Sequence, residues 1–281
     1  MKTDTPDRAA RAGAAAAIVR ELRYALTALG YFTRVPVPGW VGFEPHYLEA
    51  AARWFPLVGA GVGAVSAAVY VVCAHLLTPA VAVLLSMATS LLLTGAFHED
   101  GLADCCDAFW GAYRRDDVLR IMHDSRIGAF GAIGLGVALM LKWQTLTAFV
   151  SSTAASPFAT SVSSSLPVAL LLIGAHATSR AVAISFVMTL DYVRAEGKAK
   201  PVVRRLGPVS IAWIALTGLP WIFWPDWRLG ALTLALLVVL RFALGRWFMR
   251  RIGGFTGDCL GFAQQIFEIA IYLVTLGWAV R

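Results

Sequence analysis

Asp100, Asp104 and Asp107 follow one another at intervals of four and three residues. If Glu99 to Trp110 is helical, that spacing sets three carboxylates along one face. Like charges so close repel, and a divalent cation would offset them. A hard cation such as magnesium takes carboxylate oxygen, retains water and bridges phosphates. The expected centre is therefore a divalent-metal site able to meet substrate phosphate, with Asp100, Asp104 and Asp107 as metal ligands. Asp124 would complete the site if the chain turns back. Arg120 and Arg126 are suited to phosphate, which a guanidinium can bind with two parallel hydrogen bonds. His98 and His123 are candidates for a base or a phosphate contact. Residue 102 is leucine, so His98-Glu99 does not open a metalloprotease motif. A lone aspartate is often only a solvated loop residue; three on one face beside apolar runs favour a site.

These residues lie in Thr94 to Phe130, which holds seven carboxylates, two histidines and four arginines in a chain with 15% charged residues. Apolar runs flank this stretch. Over 281 residues the hydrophobic share is 58% and the mean hydropathy +0.69, above the usual range for soluble domains. The runs are about 20 residues long, enough to cross a bilayer. The fold class expected is all-α, a polytopic membrane bundle of about seven spans forming one domain. The spans are expected at Trp54–Leu77, Val81–Phe97, Phe130–Val150, Val168–Leu190, Pro208–Phe223, Leu229–Leu244 and Phe262–Val280. Residues 1–53 read as a cytoplasmic or interfacial start without a cleaved signal peptide. Within them, a helix over Ile18–Tyr31 is broken by the prolines of Phe32 to Pro38. Arg34 in that break is a candidate contact for lipid phosphate or substrate.

Gly59, Gly61 and Gly63 are expected to permit close helix packing, and Lys142 to snorkel towards an interface. Ser151 to Pro167 reads as a loop, and Trp221, Trp224 and Trp227 as interfacial anchors. Between the spans lie an acidic segment at 98–127, a basic loop at 191–207 and a Gly-rich loop at 246–261. The basic connections fall on the acidic side, which the positive-inside rule assigns to the cytoplasm. The net charge of +7 thus points to anionic lipid and a phosphorylated substrate, not nucleic acid. Cys73, Cys105, Cys106 and Cys259 contain no Cys-x-x-Cys pair, so neither a zinc knuckle nor a disulfide framework is expected. Association with further copies of the chain is left open.

A second polar cluster runs from Arg250 to Glu268. Gly253, Gly254 and Gly257 give a phosphate-accessible turn without a Walker sequence, and Asp258 follows. Gln264 and Glu268 share a helical face, and a polar face inside a membrane helix is costly and often functional. Packing through Gly257 and Gly261 is the plainer reading of the same stretch.

At these residues the chain resembles the cobalamin synthase (adenosylcobinamide-GDP ribazoletransferase) family. The resemblance is carried by FTRVPVP (Phe32–Pro38), FPLVG (Phe55–Gly59), HEDGLADCCDAFWG (His98–Gly111) and IMHDSRIGAFG (Ile121–Gly131). It continues through SRA (Ser179–Ala181), VRAEG (Val193–Gly197) and GGFTGDCLG (Gly253–Gly261). Family forms commonly read closer to HLDGLADTADG; Glu99 and Cys105–Cys106 depart from this, and the three aspartates remain.

The resemblance implies a magnesium-dependent membrane enzyme, in bacteria of the cytoplasmic (inner) membrane. The implied donor is adenosylcobinamide-GDP and the acceptor alpha-ribazole or its 5′-phosphate; the products are adenosylcobalamin or its 5′-phosphate, and GMP. It implies catalytic roles for Asp104, Asp107, Asp124 and His123, with the base left open. Arg126, Arg194 and Arg250 become phosphate contacts, and Asp258 a ligand-orienting or second metal-binding residue. A CDP-alcohol phosphotransferase is the chemical alternative, but Asp100-Gly101 is not followed by that family's full motif. An ion-coupled transporter is the alternative of another class.

Overall fold

The computed structural model describes residues 5–42, 44–154, 161–194 and 206–281. They form α1 (Thr5–Phe32), α2 (Pro45–Ala51), α3 (Phe55–Ala74), α4 (Pro79–Thr94), α5 (Phe97–Gly111) and α6 (Arg115–Ile121). Then follow α7 (Ala129–Ala154), α8 (Ser161–Ala183), α9 (Pro208–Gly218), α10 (Trp227–Ile252) and α11 (Gly257–Ala279). Helix α1 is longer than the expected Ile18–Tyr31 but stops where Pro36 and Pro38 approach. Prolines also open α2, α3, α4 and α9, where their missing N–H costs no intrahelical bond. The expected loop at Ser151 to Pro167 is helical at both of its described ends, and residues 155–160 lie outside the described residues. Helix α7 runs to Ala154 and α8 begins at Ser161, with Pro167 inside it.

The chain is an all-α, polytopic membrane protein. Among the described residues, five helical stretches are long and apolar enough to cross a membrane: His46–Ala74, Ala129–Thr153, Ser165–Met188, Trp227–Ile252 and Gly257–Ala279. The number becomes six if α4 and α5 count together. The expected count is about seven. Pro208–Phe223 is a shorter apolar helix, and α4 meets α5 at an 89° elbow instead of running straight. Gly95 and Ala96 make the elbow, with φ of 64° and 54°; a left-handed alanine is disfavoured, so surrounding packing must hold it. Arg34 does part of this: its backbone N–H donates to Leu93 O at 2.8 Å and its side chain lies over Gly95.

Helices α8 and α11 run through the interior. A Cβ on Gly63 would stand 2.6 Å from Ile173 Cα, and one on Gly59 would meet the His176 carbonyl, so α3 and α8 touch along their backbones. Gly61 faces open space and takes no part, contrary to expectation. Cys105, Cys106 and Cys259 are buried free thiols.

Lys142 does not snorkel. It is 5% exposed, with Nζ 2.9 Å from Glu268 Oε1 and 3.9 Å from Glu99 Oε1. Gln264 donates to Glu268 (2.7 Å) and Ser179 (2.9 Å), Gln265 to Glu99 (2.9 Å), and Tyr272 to Glu268 (3.0 Å). Four helices (α5, α7, α8 and α11) are thereby pinned by one buried polar network. A lone Lys142 in α7 would favour the interface; two buried carboxylates opposite it reverse that preference.

Candidate active site

Helix α5 carries Asp100, Asp104 and Asp107 on one face, as the spacing predicts. What that face meets depends on two glycines. A Cβ on Gly101 would lie 2.9 Å from Asp258 O, and one on Gly261 would lie 3.1 Å from His98 O and 3.4 Å from Gly101 Cα. The α5 backbone therefore rests on the first turn of α11. The crossing brings Asp258 and Asp100 within electrostatic range of Asp104.

Asp258 is oriented from two sides. Arg194 Nη2 stands 2.8 Å from Asp258 Oδ2. The Thr256 hydroxyl, which caps α11 by accepting from Cys259 N–H at 3.3 Å, also donates to Asp258 Oδ2 at 3.3 Å. Arg194 is delivered by a short pairing of two segments, in which Val193 N–H donates to Phe255 O (3.0 Å) and Phe255 N–H to Asp191 O (2.9 Å). Gly254 is required there, because a Cβ would run into the Asp191 carbonyl. The remaining basic residues expected in this loop, Lys198, Lys200, Arg204 and Arg205, lie outside the described residues, as does Glu196.

Asp107 sits differently from its two neighbours on the face. Its Oδ2 accepts from Gly128 N–H and its Oδ1 from Gly131 N–H, each at 2.7 Å. It thus satisfies free amides at the start of α7, where negative charge is favoured. Both oxygens retain lone pairs.

Asp124 is gripped by Arg126, with Oδ1 3.0 Å from Nε and Oδ2 2.7 Å from Nη2, and also accepts the Arg126 backbone N–H at 3.1 Å. These bonds hold its carboxyl low, at about 2. The structure thus commits Asp124 to Arg126, while His123 is exposed on the same turn. Arg120 pairs with Asp117 at 3.1 Å. Arg250 is exposed in the last turn of α10. Its neighbour Arg251, not singled out by sequence, caps α5: Nη2 donates to Phe109 O at 2.6 Å and to Ala112 O. Two arginines closing a helix signalled such a cap, without telling which would turn inward. His98 is buried and stacked on Phe32, ring centroids 5.2 Å apart.

The donor set around Asp104 is all carboxylate oxygen, which fits a hard cation. Among the described residues, no three His, Cys, Asp or Glu side chains converge closely enough to hold an ion by themselves. An open set of this kind leaves coordination positions for water and for phosphate oxygen. Arginine-flanked carboxylates at the end of an apolar bundle can thus do charge-stabilised chemistry on a phosphorylated ligand.

A family model described as cobalamin-5-phosphate synthase matches residues 24–276. The chain is 52% identical over 253 residues to a protein of Ralstonia pickettii (strain 12J) named adenosylcobinamide-GDP ribazoletransferase, covering 90% of this chain and 94% of that protein. Proteins of the same name from Ralstonia nicotianae and Shewanella frigidimarina are 51% identical over 265 residues (94% and 98% covered) and 40% identical over 260 residues (92% and 95% covered). No solved structure matches.

Proposed function

The chain belongs to the cobalamin-5-phosphate synthase family, and on that premise we propose that it transfers the adenosylcobinamide phosphoryl group from adenosylcobinamide-GDP to alpha-ribazole or its 5′-phosphate. The single observation that carries the site assignment is the meeting of Asp100 and Asp104 on α5 with the arginine-paired Asp258 on α11. In the reaction, the acceptor 3′-hydroxyl oxygen forms a bond to the cobinamide-linked phosphorus. The anhydride bond to the second phosphorus breaks, GMP carries away the electron pair, and the hydroxyl proton passes to a base.

Asp100 and Asp104 would each contribute an oxygen to magnesium completed by water and substrate phosphate; Asp107 has lone pairs to add, while Asp258 and Asp124 are engaged by Arg194 and Arg126. When bound, the ion would neutralise charge developing on the phosphate oxygens. Arg194, ion-paired to Asp258, and Arg126, hydrogen-bonded to Asp124, would supply positive charge in fixed geometry, with Arg250 as a further candidate. Asp124 is a poor base, because a carboxyl with pKa about 2 holds a captured proton too weakly near neutral pH. His123, exposed beside it and free of such a pair among the described residues, is the better candidate.

The location follows from charge. Arg194 and Arg251 reach the acidic end of the bundle directly, and Arg114, Arg115 and Arg120 lie on the connection after α5. Basic connections favour the cytoplasmic side, so the centre would face the cytoplasm from the bacterial inner membrane, where soluble nucleotide substrates arrive.

The test is GMP release by the purified full-length chain given adenosylcobinamide-GDP, each acceptor and magnesium. Activity that depends on acceptor and metal, and that falls by about two orders of magnitude in Asp104→Asn, supports the reading. Full activity of a well-folded Asp104→Asn protein would refute the site.

A further inference from the structure

The FTRVPVP segment has no part in the centre just described, yet it walls a cavity of about 440 Å³. The cavity lies between the end of α1, the Thr33–Gly42 segment and the α4–α5 elbow, with Tyr31, Arg34, Val37 and Phe97 among its lining residues. Small-ligand sites have volumes of about 300–1,000 Å³, so it suits a nucleoside and not a whole corrinoid nucleotide. Its inner wall is aromatic: Tyr31 and Phe97 stand edge to face, ring centroids 5.3 Å apart. Both rings also line a smaller aromatic recess that reaches Gly257 at the start of α11, and Asp258 is the next residue.

The cavity is thus next to the acidic centre. Burial pushes the proton affinity of the Tyr31 hydroxyl up, with smaller contributions from Tyr192 and from the charge of Asp258. Along α5, Phe97 precedes Asp100 by three residues and Asp104 by seven, about 4.5 and 10 Å of helix rise, a span a nucleoside can bridge. At the mouth is Arg34. It is exposed, and no carboxylate among the described residues lies within ion-pair distance of it. Its guanidinium lies against the bare Cα of Gly95 at the elbow, and its backbone N–H is held by the Leu93 carbonyl. An arginine anchored in this way, with its guanidinium unpaired, is prepared for phosphate.

Resting on the transfer reading, we infer that this cleft is the acceptor subsite: an aromatic nucleoside seats its base against Tyr31 and Phe97, and Arg34 binds its 5′-phosphate. The base enters beside the rings, the ribose extends towards Asp100 and Asp104, and the 5′-phosphate stays at the mouth.

The experiment compares KM for alpha-ribazole, alpha-ribazole 5′-phosphate and adenosylcobinamide-GDP in the full-length detergent-solubilised chain and its variants. Arg34→Gln is expected to raise KM for the phosphorylated acceptor about tenfold while leaving the unphosphorylated acceptor and the donor within about twofold. Tyr31→Leu is expected to raise KM for both acceptors about tenfold and spare the donor. Equal effects of Arg34→Gln on both acceptors, or a change in donor KM alone, would overturn the assignment. If Arg34→Gln fails to fold, Val37→Trp, which fills the cleft, must weaken both acceptors; unchanged acceptor KM would overturn it equally. Absence of GMP with either acceptor in the unaltered chain would defeat the transfer reading instead. Fluorescence titration of alpha-ribazole 5′-phosphate would then judge the cleft by itself, with Arg34-dependent binding supporting it and no binding refuting it.

Discussion

The backbone of Gly101 lies against that of Asp258, so closely that a Cβ on Gly101 would be 2.9 Å from the Asp258 carbonyl oxygen and 3.0 Å from its Cα. This contact sets the depth at which α11 presents its first-turn carboxylate to the α5 face. Gly101→Ala should force the backbones apart by a fraction of an ångström, and Gly101→Val by more. Displacement of about 1 Å can cost roughly 100-fold in rate, so GMP formation should fall about tenfold in Gly101→Ala and at least 100-fold in Gly101→Val. Detergent-phase thermal unfolding would separate this from global loss of structure. Undiminished turnover in Gly101→Val would show that Asp258 need not sit so close to α5.

Arg194 compensates Asp258 at 2.8 Å while standing among phosphate-binding candidates. Arg194→Ala should leave Asp258 unpaired beside Asp100 and Asp104, and turnover should fall on the order of 100-fold. Arg194→Lys keeps the charge but not the planar fork, so an intermediate loss is expected. The check is kcat and donor KM measured across magnesium concentrations. Equal activity of Arg194→Ala and the unaltered chain would remove Arg194 from the centre.

The helical architecture and the acidic face were legible in the sequence because each is a local pattern. Apolar runs marked α3, α7, α8, α10 and α11, and the spacing of Asp100, Asp104 and Asp107 marked one side of α5. The elbow was not legible. Gly95 signals a helix end, but nothing in Ala96 signals a left-handed backbone, so the apolar pattern carries the span on to Phe97 and hides the sharp turn into the acidic helix. Partners distant in sequence were hidden for the same reason. Asp107 finds its amides at Gly128 and Gly131, and Lys142 finds Glu268 only after α7 and α11 pack. The resemblance supplied the chemistry, but could not reveal that Arg251, and not Arg250, turns inward to close α5.

Removing one member of the Lys142–Glu268 pair should harm more than removing both charges. Lys142→Met removes the cation nearest the buried Glu268 and Glu99 and leaves only Arg180, among the described residues, within electrostatic range of both, a loss of about 3 kcal/mol. In Lys142→Met combined with Glu268→Gln, most of that loss should return, since Gln264 and Tyr272 can still hydrogen-bond a neutral partner. Unfolding of the two variants and of Glu268→Gln alone completes the cycle. If the double variant is as unstable as the sum of the singles, the pair does not act as a unit.

Asp124 gives a prediction in pH. Its folded-state value is lowered from 3.8 to about 2, first by the side-chain hydrogen bond from Arg126 and then by the Arg126 backbone N–H. A depressed carboxyl contributes stability that is fully present above its unfolded value and is lost as pH falls through the folded one. The contribution should therefore be constant above about pH 4 and fade between pH 4 and 2. It should have no influence on the rate profile near neutrality. Carboxyl-carbon NMR of labelled aspartate should give a midpoint near 2, rising towards 3.8 in Arg126→Gln. In rate measurements from pH 5 to 9, Asp124→Asn should lower turnover without displacing either limb, because Asp124 never changes charge there. His123→Gln should instead lower turnover across the whole range, since that imidazole is the candidate to take the acceptor proton. An Asp124→Asn protein that loses more turnover than His123→Gln would exchange the two roles, and would require the Arg126 grip to open when substrate binds.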